Sequence, residues 1–394
     1  MQRSKTEVFG ALAFAGSGLV FLLTRPWAFG GQEFPPAPTI EPVVQISSVT
    51  TQQTQESPVI DIVFVLDTTG SMSGLLEGAK KKIWSIANKI ASGEPRPEIR
   101  VGLVAYRDRG DTYTTQSTPL TKDLDEVYGA LLQLQASGGG DFPEDVNEGV
   151  RVALRETGWS SRKDALKMVF VVGDAPPHDD YDPQLTSSVL AAEAKERGVI
   201  LHTVQCGSNP ETARTFAALS NAAEGTYMAI AAHGGMSVVA TPFDDELAAL
   251  SRSLADLALD YGGAESKRKG RKKKQRRKEM PSSAAADVAS FGGKVGRMYR
   301  EDLVTALKDG SVNLDMIEEE ELPSALQGKS TVAKRSILKA NKAERARISE
   351  EINKLSTKRD SFLEGEAAEV PADSFDEKVL DSVRDHARKI GVSY

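Results

Sequence analysis

Residues 63–72 read VFVLDTTGSM, an apolar run that ends in a short polar loop. The apolar run is almost continuous over 59–66, which is typical of a β-strand buried on both faces of a sheet. Asp67, Thr69 and Ser71 then place one carboxylate and two hydroxyls at alternate positions of a glycine-containing loop. Such hard oxygen donors suit Mg²⁺, but the same residues also suit a helix cap. The loop alone leaves both interpretations open.

Strand-like and helical segments alternate along residues 58–262. This alternation predicts an α/β fold with a Rossmann-like, mostly parallel sheet and helices on both faces. The segment 113–120 alternates in hydrophobicity and is predicted to be an antiparallel edge strand. Ligands of such sheets bind at the carboxyl ends of the strands. The predicted strands are 59–66, 99–106, 113–120, 166–172, 199–206 and 226–230, and the predicted helices are 74–92, 124–135, 144–155, 183–197, 210–223 and 244–261.

Two further acidic loops are expected at the same edge of the sheet. The loop GGGDFPED at 138–145 supplies Asp141 and Glu144, and its glycines allow a close approach of the backbone. The loop GDAPPH at 173–178 directly follows a predicted strand and supplies Asp174. Each loop alone is compatible with a turn or a helix cap. Three such loops together predict one cation site.

The stretch 63–72, with the two later loops, resembles the opening strand and metal-ion-dependent adhesion site of von Willebrand factor A domains. The resemblance covers roughly residues 58–262. It implies Mg²⁺ or Mn²⁺ at the upper edge of the sheet, and a role in binding rather than catalysis. The ligands that it implies in the first and third loops are Asp67, Thr69, Ser71 and Asp174.

The second loop departs from the common pattern of that family. Many members carry a threonine where this chain has Gly140, and the run from Asp141 to Glu144 is instead similar to integrin β subunits. That similarity implies Glu144 and Asp141 as metal ligands. It also implies a second cation, such as Ca²⁺, held by Asp108, Asp141 and Glu144. An ion pair between Asp108 and an adjacent arginine is the alternative.

The N-terminus carries an export pattern. Arg3 and Lys5 precede an apolar run over 8–23, so residues 1–30 are predicted to be a signal peptide or an uncleaved membrane anchor. Residues 31–57 are rich in Pro, Gln, Thr and Ser, which predicts a flexible linker. The remainder is expected to be exported, to a periplasmic or other extracytoplasmic site, and to be membrane-anchored or secreted.

Composition excludes some classes of protein. The 394 residues carry a net charge of −7, so the chain as a whole is not suited to coating nucleic acid, and no specific nucleic acid is expected. Cys206 is the one cysteine in the sequence, which excludes an intrachain disulfide framework.

The region after residue 262 is predicted to have two parts. Residues 263–286 are expected to be a basic linker, and 287–394 a charged, mostly helical region. The basic run either binds anionic lipid or another polyanion or is simply solvated. A narrow apolar stripe within 334–363 predicts self-association through helices. The basic residues of the run are Lys267, Arg268, Lys269, Arg271, Lys272, Lys273, Lys274, Arg276, Arg277 and Lys278.

The function expected from these features is metal-dependent binding of a protein, by an exported and membrane-tethered chain of bacterial type. An acidic side chain of the partner would complete the Mg²⁺ coordination. The first alternative is a scaffold or accessory subunit of an envelope complex. The second is an enzyme, because the second loop is also similar to von Willebrand A domains fused to atypical α-kinases. No nucleotide-binding glycine loop follows residue 262, so an enzyme is not the expectation.

Overall fold

The computed structural model describes residues 57–140, 142–296, 301–366 and 374–394. The predicted signal or anchor at 1–30, the linker at 31–57 except for its last residue, and Asp141 therefore lie outside the described residues. Within the described part of the chain, no helix combines the length and apolarity needed to cross a membrane.

Six strands form one sheet in the order β3-β2-β1-β4-β5-β6. The neighbouring pairs are parallel except β2 and β3, which pair antiparallel at one edge. The chain runs from β1 to β2 and β3 on one side and then crosses to β4 on the other side of β1. The carboxyl ends of β1 and β4 therefore flank a topological switch point, where open α/β sheets bind ligands. The strands are β1 (Val59–Asp67), β2 (Glu98–Tyr106), β3 (Thr115–Thr121), β4 (Leu166–Gly173), β5 (Ile200–Cys206) and β6 (Tyr227–Ile230).

Eleven α-helices are present in the described residues, and they cover both faces of the sheet. The predicted α/β fold with a mostly parallel sheet is confirmed. The helices are α1 (Ser73–Ile90), α2 (Leu124–Gln133), α3 (Val146–Glu156), α4 (Ser187–Glu196), α5 (Pro210–Ala222), α6 (Asp244–Asp256), α7 (Ala264–Glu279), α8 (Ser282–Val295), α9 (Leu303–Lys308), α10 (Thr331–Glu366) and α11 (Phe375–Ala387).

The side chains of β1 divide the core into two layers. Ile62 and Phe64 belong to a cluster that includes residues of α1, α2, α8 and α11. Val63 and Val65 belong to a second cluster with residues of α3, α4 and α5. Successive strand residues point to opposite faces, so an unbroken apolar run is what a strand covered on both faces requires.

The C-terminal region differs from the expected separate helical part. Helix α11 packs on the sheet, with Phe375 only 2% exposed and its ring 6.1 Å from that of Phe64. Its buried residues recur at helical spacing, which gives the helix one apolar face. Near the end of the chain, Ser393 exchanges two backbone hydrogen bonds with Glu94. The last helix therefore completes the core of the sheet domain.

The apolar stripe that predicted self-association is covered within the chain. Ile348, Ile352 and Leu355 of α10 are buried in a cluster with residues of α6 and α8. The three residues are spaced four and three positions apart along α10, so they lie on one face of the helix, and this face contacts α6 and α8. Little of the stripe is left to meet another chain.

The basic run at 267–278 is also different from the expected linker, because it forms most of helix α7. Lys273 is buried between Asp123, at 2.5 Å, and Glu301, at 2.7 Å. Arg277 is buried against Asp125, at 2.5 Å. Folding brings acidic residues from distant parts of the chain to this helix, so much of its charge is compensated. The exposed members that form no ion pair with the described residues are Arg268, Arg271 and Lys272.

Candidate metal centre

The first loop is folded around one oxygen of Asp67. This residue ends β1 and is fully buried, and its Oδ1 accepts hydrogen bonds from Thr69 N at 2.8 Å and Thr69 Oγ1 at 2.7 Å. Thr69 Oγ1 lies 3.4 Å from Ser71 Oγ. Asp67 Oδ2 is buried and makes no hydrogen bond of ordinary geometry with the described residues. One carboxylate oxygen is therefore left without a partner beside two hydroxyls.

The helix-cap interpretation of this loop has no support in the geometry. Thr69 precedes the short 3-10 turn at Gly70–Met72, and Met72 precedes α1. Neither side chain makes a capping hydrogen bond. The side chains of the loop bond to one another instead, so they are not engaged by the helix that follows.

The second loop brings Glu144 to the first loop. A Cβ atom placed on Gly139 would lie 3.2 Å from Glu144 Oε1 and 3.3 Å from Thr69 Cβ, so both side chains flank this glycine. Gly139 has φ +83°, a conformation that favours glycine. Glu144 is 5% exposed, and its Oε2 is buried without a hydrogen-bond partner among the described residues. Its backbone N–H donates to Pro176 O at 3.1 Å, which joins the second loop to the third.

The third loop places Asp174 directly after β4. A Cβ atom on the preceding Gly173 would lie 3.3 Å from Asp67 Oδ2 and in collision with Tyr106 OH. The absence of a side chain at Gly173 thus lets the end of β4 approach Asp67. The backbone oxygen of Asp174 accepts a hydrogen bond from Thr212 Oγ1 at 3.0 Å.

Burial and neighbouring acidic residues make ionisation of the carboxyl groups unfavourable at this site. Burial, and secondarily the charge of Asp174, raises the pKa of Asp67 to about 7, against the opposing hydrogen bonds from Thr69. Burial, followed by the charges of Asp67 and Asp108, raises the pKa of Glu144 to about 8. A group that lacks a counter-ion in such surroundings holds its proton. A divalent cation would supply the missing positive charge.

The donor set fits a hard divalent cation. Two buried carboxylate oxygens have no hydrogen-bond partner among the described residues, and the hydroxyls of Thr69 and Ser71 lie next to Asp67 in the first loop. This set matches the oxygen ligands of Mg²⁺ or Mn²⁺. In the described part of the chain, no three His, Cys, Asp or Glu side chains form a metal-binding group by themselves. A cation here would therefore need the hydroxyls of Thr69 and Ser71 as well as the acids.

The residues of the predicted second cation site are only partly described. Both carboxylate oxygens of Asp108 accept a hydrogen bond from Tyr181 OH, at 2.9 and 3.0 Å. Arg109 pairs with Asp145 at 3.1 Å and lies over the Tyr181 ring, while Arg107 donates to backbone carbonyls. The two adjacent arginines thus have other partners than Asp108. The second cation stays a prediction, because it also needs Asp141.

Tyr181 is a site residue that the sequence did not reveal. Its ring stacks on His178, with centroids 3.9 Å apart, and its hydroxyl reaches Asp108, 73 residues earlier. His178 is 8% exposed, and its Nδ1 lies 2.8 Å from Asp180 Oδ1. No local pattern signals the contact with Asp108, since it depends on the segment after the third loop folding back to the residues that follow β2.

The raised pKa values predict how pH affects the metal-free protein. Unfolded carboxyls titrate near pH ~4, whereas Asp67 and Glu144 titrate at about 7 and about 8 in the folded state. The folded state holds these protons more tightly. Their stabilising contribution is therefore full below pH ~4 and is lost as pH rises through 7 to 8.

We expect the melting temperature of the full chain in a chelator to fall by several degrees between pH 5 and 8.5. Thermal unfolding followed by circular dichroism measures this. The double variant Asp67→Asn/Glu144→Gln should have a flatter profile, as should the wild type in Mg²⁺. A wild-type melting temperature that rises over this range would contradict the prediction.

Comparison with known proteins shows which proteins the region that carries the site is similar to. Residues 61–242 match the family model of the von Willebrand factor A domain. A rat von Willebrand factor A domain-containing protein 7 is 31% identical over 208 residues, which are 51% of this chain and 21% of that protein. The alpha-protein kinase vwkA of Dictyostelium discoideum is 28% identical over 123 residues, 31% of this chain and 19% of that protein. The chain thus spans about a fifth of the length of these curated relatives.

Solved structures that match part of this chain include the SpRpn10 VWA domain, at 17% identity and a TM-score of 0.35, over 47% of this chain and 100% of that one. They also include proximal thread matrix protein 1 from the mussel byssus, described with a zinc-occupied MIDAS motif. It has 16% identity and a TM-score of 0.33, over 44% of this chain and 42% of that one. Residues 61–242 of this chain are thus similar to von Willebrand factor A domains.

Proposed function

We propose that the chain binds a protein partner through a divalent cation, Mg²⁺ or Mn²⁺, held at the carboxyl end of β1. The observation that carries this proposal is the pair of buried, unpartnered oxygens, Asp67 Oδ2 and Glu144 Oε2. Buried carboxylates are normally paired or bound to a metal. Thr69, Ser71 and Asp174 would complete the protein's share of the ligands, and Asp141 belongs to the same predicted set.

The exposure of the site favours binding of an outside group. Gly70 and Ser71 are exposed, although Asp67 and Thr69 beside them are buried. A cation held here would be reachable from solvent on the Ser71 side. Phe142, in the second loop, is 50% exposed and offers an apolar contact close to the acids. We propose a partner segment that presents an acidic side chain next to an apolar one.

The cellular location belongs to the proposal as well. The basic start and the apolar run over 8–23 support export and a membrane tether. This support comes from the sequence alone. The similarity to an alpha-protein kinase covers 31% of this chain. We propose binding rather than catalysis, because the site offers cation ligands and an exposed apolar side chain.

The experiment uses the relaxation of water protons by Mn²⁺ bound to the full chain. Bound Mn²⁺ with water in its coordination shell should enhance relaxation strongly. A short peptide with one Asp beside a Phe should lower the enhancement, because its carboxylate displaces water from the metal. The matched peptide with Asn in place of Asp should have little effect.

Two results would contradict the proposal. Absence of saturable Mn²⁺ binding would show that the site holds no cation. Equal effects of the Asp and Asn peptides would show that a cation binds but that the partner's carboxylate is not the recognised group. Glu144→Gln should weaken Mn²⁺ binding by roughly tenfold or more, in line with the loss of one metal-ligand contact.

A further inference from the structure

A cavity of about 480 Å³ lies among α6, α8, α9 and α10. It shares no lining residue with the cation site. Its volume falls in the range of ~300–1,000 Å³ that is usual for sites of small ligands. Apolar side chains from all four helices form much of its wall, namely Leu254, Val288, Ala289, Val304, Leu307 and Leu338.

The charged residues of the lining are all of one sign. The lining includes Arg277, Lys308, Lys339, Lys342 and Arg345, and no Asp or Glu is among the described residues that line it. Arg277 and Arg345 are compensated by buried carboxylates outside the cavity. The three lysines are different: Lys308 Nζ donates to a backbone carbonyl, and Lys339 and Lys342 are exposed. The cavity therefore joins apolar walls to three positive charges that form no ion pair with the described residues.

A second observation concerns Arg345. Its NH1 and NH2 groups bind Asp302, at 2.7 and 2.8 Å. Its Nε is buried and has no hydrogen-bond partner among the described residues. The guanidinium is held beside the cavity by Asp302 and adds a fixed, positively charged group to its lining.

We propose that this cavity binds an anionic amphiphile of the fatty-acid type, with a single acyl chain and one carboxylate. The chain would lie against the apolar wall, where burial away from water stabilises it. The carboxylate would lie among Lys308, Lys339 and Lys342. A volume of this size, partly open to solvent, suits one acyl chain, and a lining with no Asp or Glu among its described residues favours an anion.

The test measures binding of dansyl-labelled undecanoic acid to the full chain by fluorescence. We expect saturable binding of one equivalent, and displacement by palmitate but not by the neutral alcohol of the same chain length. Lys339→Glu/Lys342→Glu reverses two exposed charges and should weaken the affinity for the probe roughly tenfold or more. Lys358→Glu is the matched control, an exposed lysine of the same helix outside the cavity, and should bind the probe as the wild type does.

A second variant tests the apolar part independently. Ala346 is an exposed residue of the lining, so Ala346→Trp should obstruct the cavity and abolish probe binding while the melting temperature stays near that of the wild type. Binding should be the same in Mg²⁺ and in chelator, which separates it from the cation site.

Several results would overturn the proposal. One is the absence of saturable binding, and another is equal displacement by the acid and the alcohol. Equal affinity of Lys339→Glu/Lys342→Glu and the wild type for the probe would show that these lysines do not bind the carboxylate. Displacement by inorganic phosphate but not by palmitate would indicate a simple anion site instead.

Discussion

Replacing Asp67 by asparagine is expected to weaken Mn²⁺ binding at least ~100-fold and, at the same time, to stabilise the metal-free protein. The two effects share one cause. Asp67 is fully buried with an unpartnered Oδ2, and burial raises its pKa to about 7. Its negative charge therefore destabilises the metal-free protein and attracts a cation.

The amide keeps the local fold of the first loop. Its oxygen can still accept the two hydrogen bonds from Thr69 that Asp67 Oδ1 accepts now, at 2.8 and 2.7 Å. At pH 8 in chelator, removal of the buried charge should stabilise the chain by on the order of 1–2 kcal/mol. Calorimetric titration with Mn²⁺ and unfolding by urea measure the two effects on the same samples.

The control must remove a carboxylate without touching the site. Asp164 is exposed and pairs with Arg162 at 2.6 Å, so Asp164→Asn should leave both metal affinity and stability close to the wild type. Unchanged Mn²⁺ affinity in Asp67→Asn would exclude this residue as a ligand. A large loss of stability in chelator would show that the charge supports the fold instead of opposing it.

The sheet was predictable because its signals are local. The unbroken apolar run at 59–66 matches β1 (Val59–Asp67), and the run at 166–172 matches β4 (Leu166–Gly173). A buried parallel strand leaves this signature in consecutive residues. The boundaries of helices were less predictable, since α4 begins at Ser187 rather than 183. There the side chain of Thr186 accepts a hydrogen bond from Val189 N and caps the helix.

The candidate site was predictable in part for a related reason. Residues that follow parallel strands converge at one edge of the sheet, so Asp67 and Asp174 could be placed together from sequence. The similarity to integrin β subunits also implied Glu144, but its backbone bond to Pro176, 32 positions later, could not be predicted. Nor could the contact of Tyr181 with Asp108, across 73 positions. Such contacts leave no periodic signal.

The C-terminal helices were least predictable, because their charges have partners far along the chain. Lys273 binds Asp123 across 150 positions, and Arg277 binds Asp125 across 152. Read as a sequence, helix α7 is a run of uncompensated basic residues. A charged run is commonly solvated, and only the fold shows that acids of α2 and its N-terminal end lie against it.

Arg359 provides the second large expected effect, since Arg359→Met should cost about 3–5 kcal/mol of unfolding free energy. This arginine of α10 is 3% exposed. Its Nε donates to Asp244 Oδ1 on α6, and its NH1 donates to Asp287 Oδ1 on α8, both at 2.7 Å. Methionine would fill similar space but remove the positive charge that both buried carboxylates contact. Urea unfolding of the full chain at pH 7 measures the loss.

Two controls separate the buried charges from other causes. Lys358→Met changes the exposed neighbour in the same helix and should stay within ~0.5 kcal/mol of the wild type. The triple variant Arg359→Met/Asp244→Asn/Asp287→Asn should recover most of the loss, because the cost arises from unpaired buried charge rather than from the lost ion pairs. If the triple variant is no more stable than Arg359→Met, the cost lies in packing instead. Mn²⁺ affinity should be unchanged in folded Arg359→Met, since Arg359 contacts none of the three loops at the end of β1, and a large fall would instead couple α10 to the metal centre.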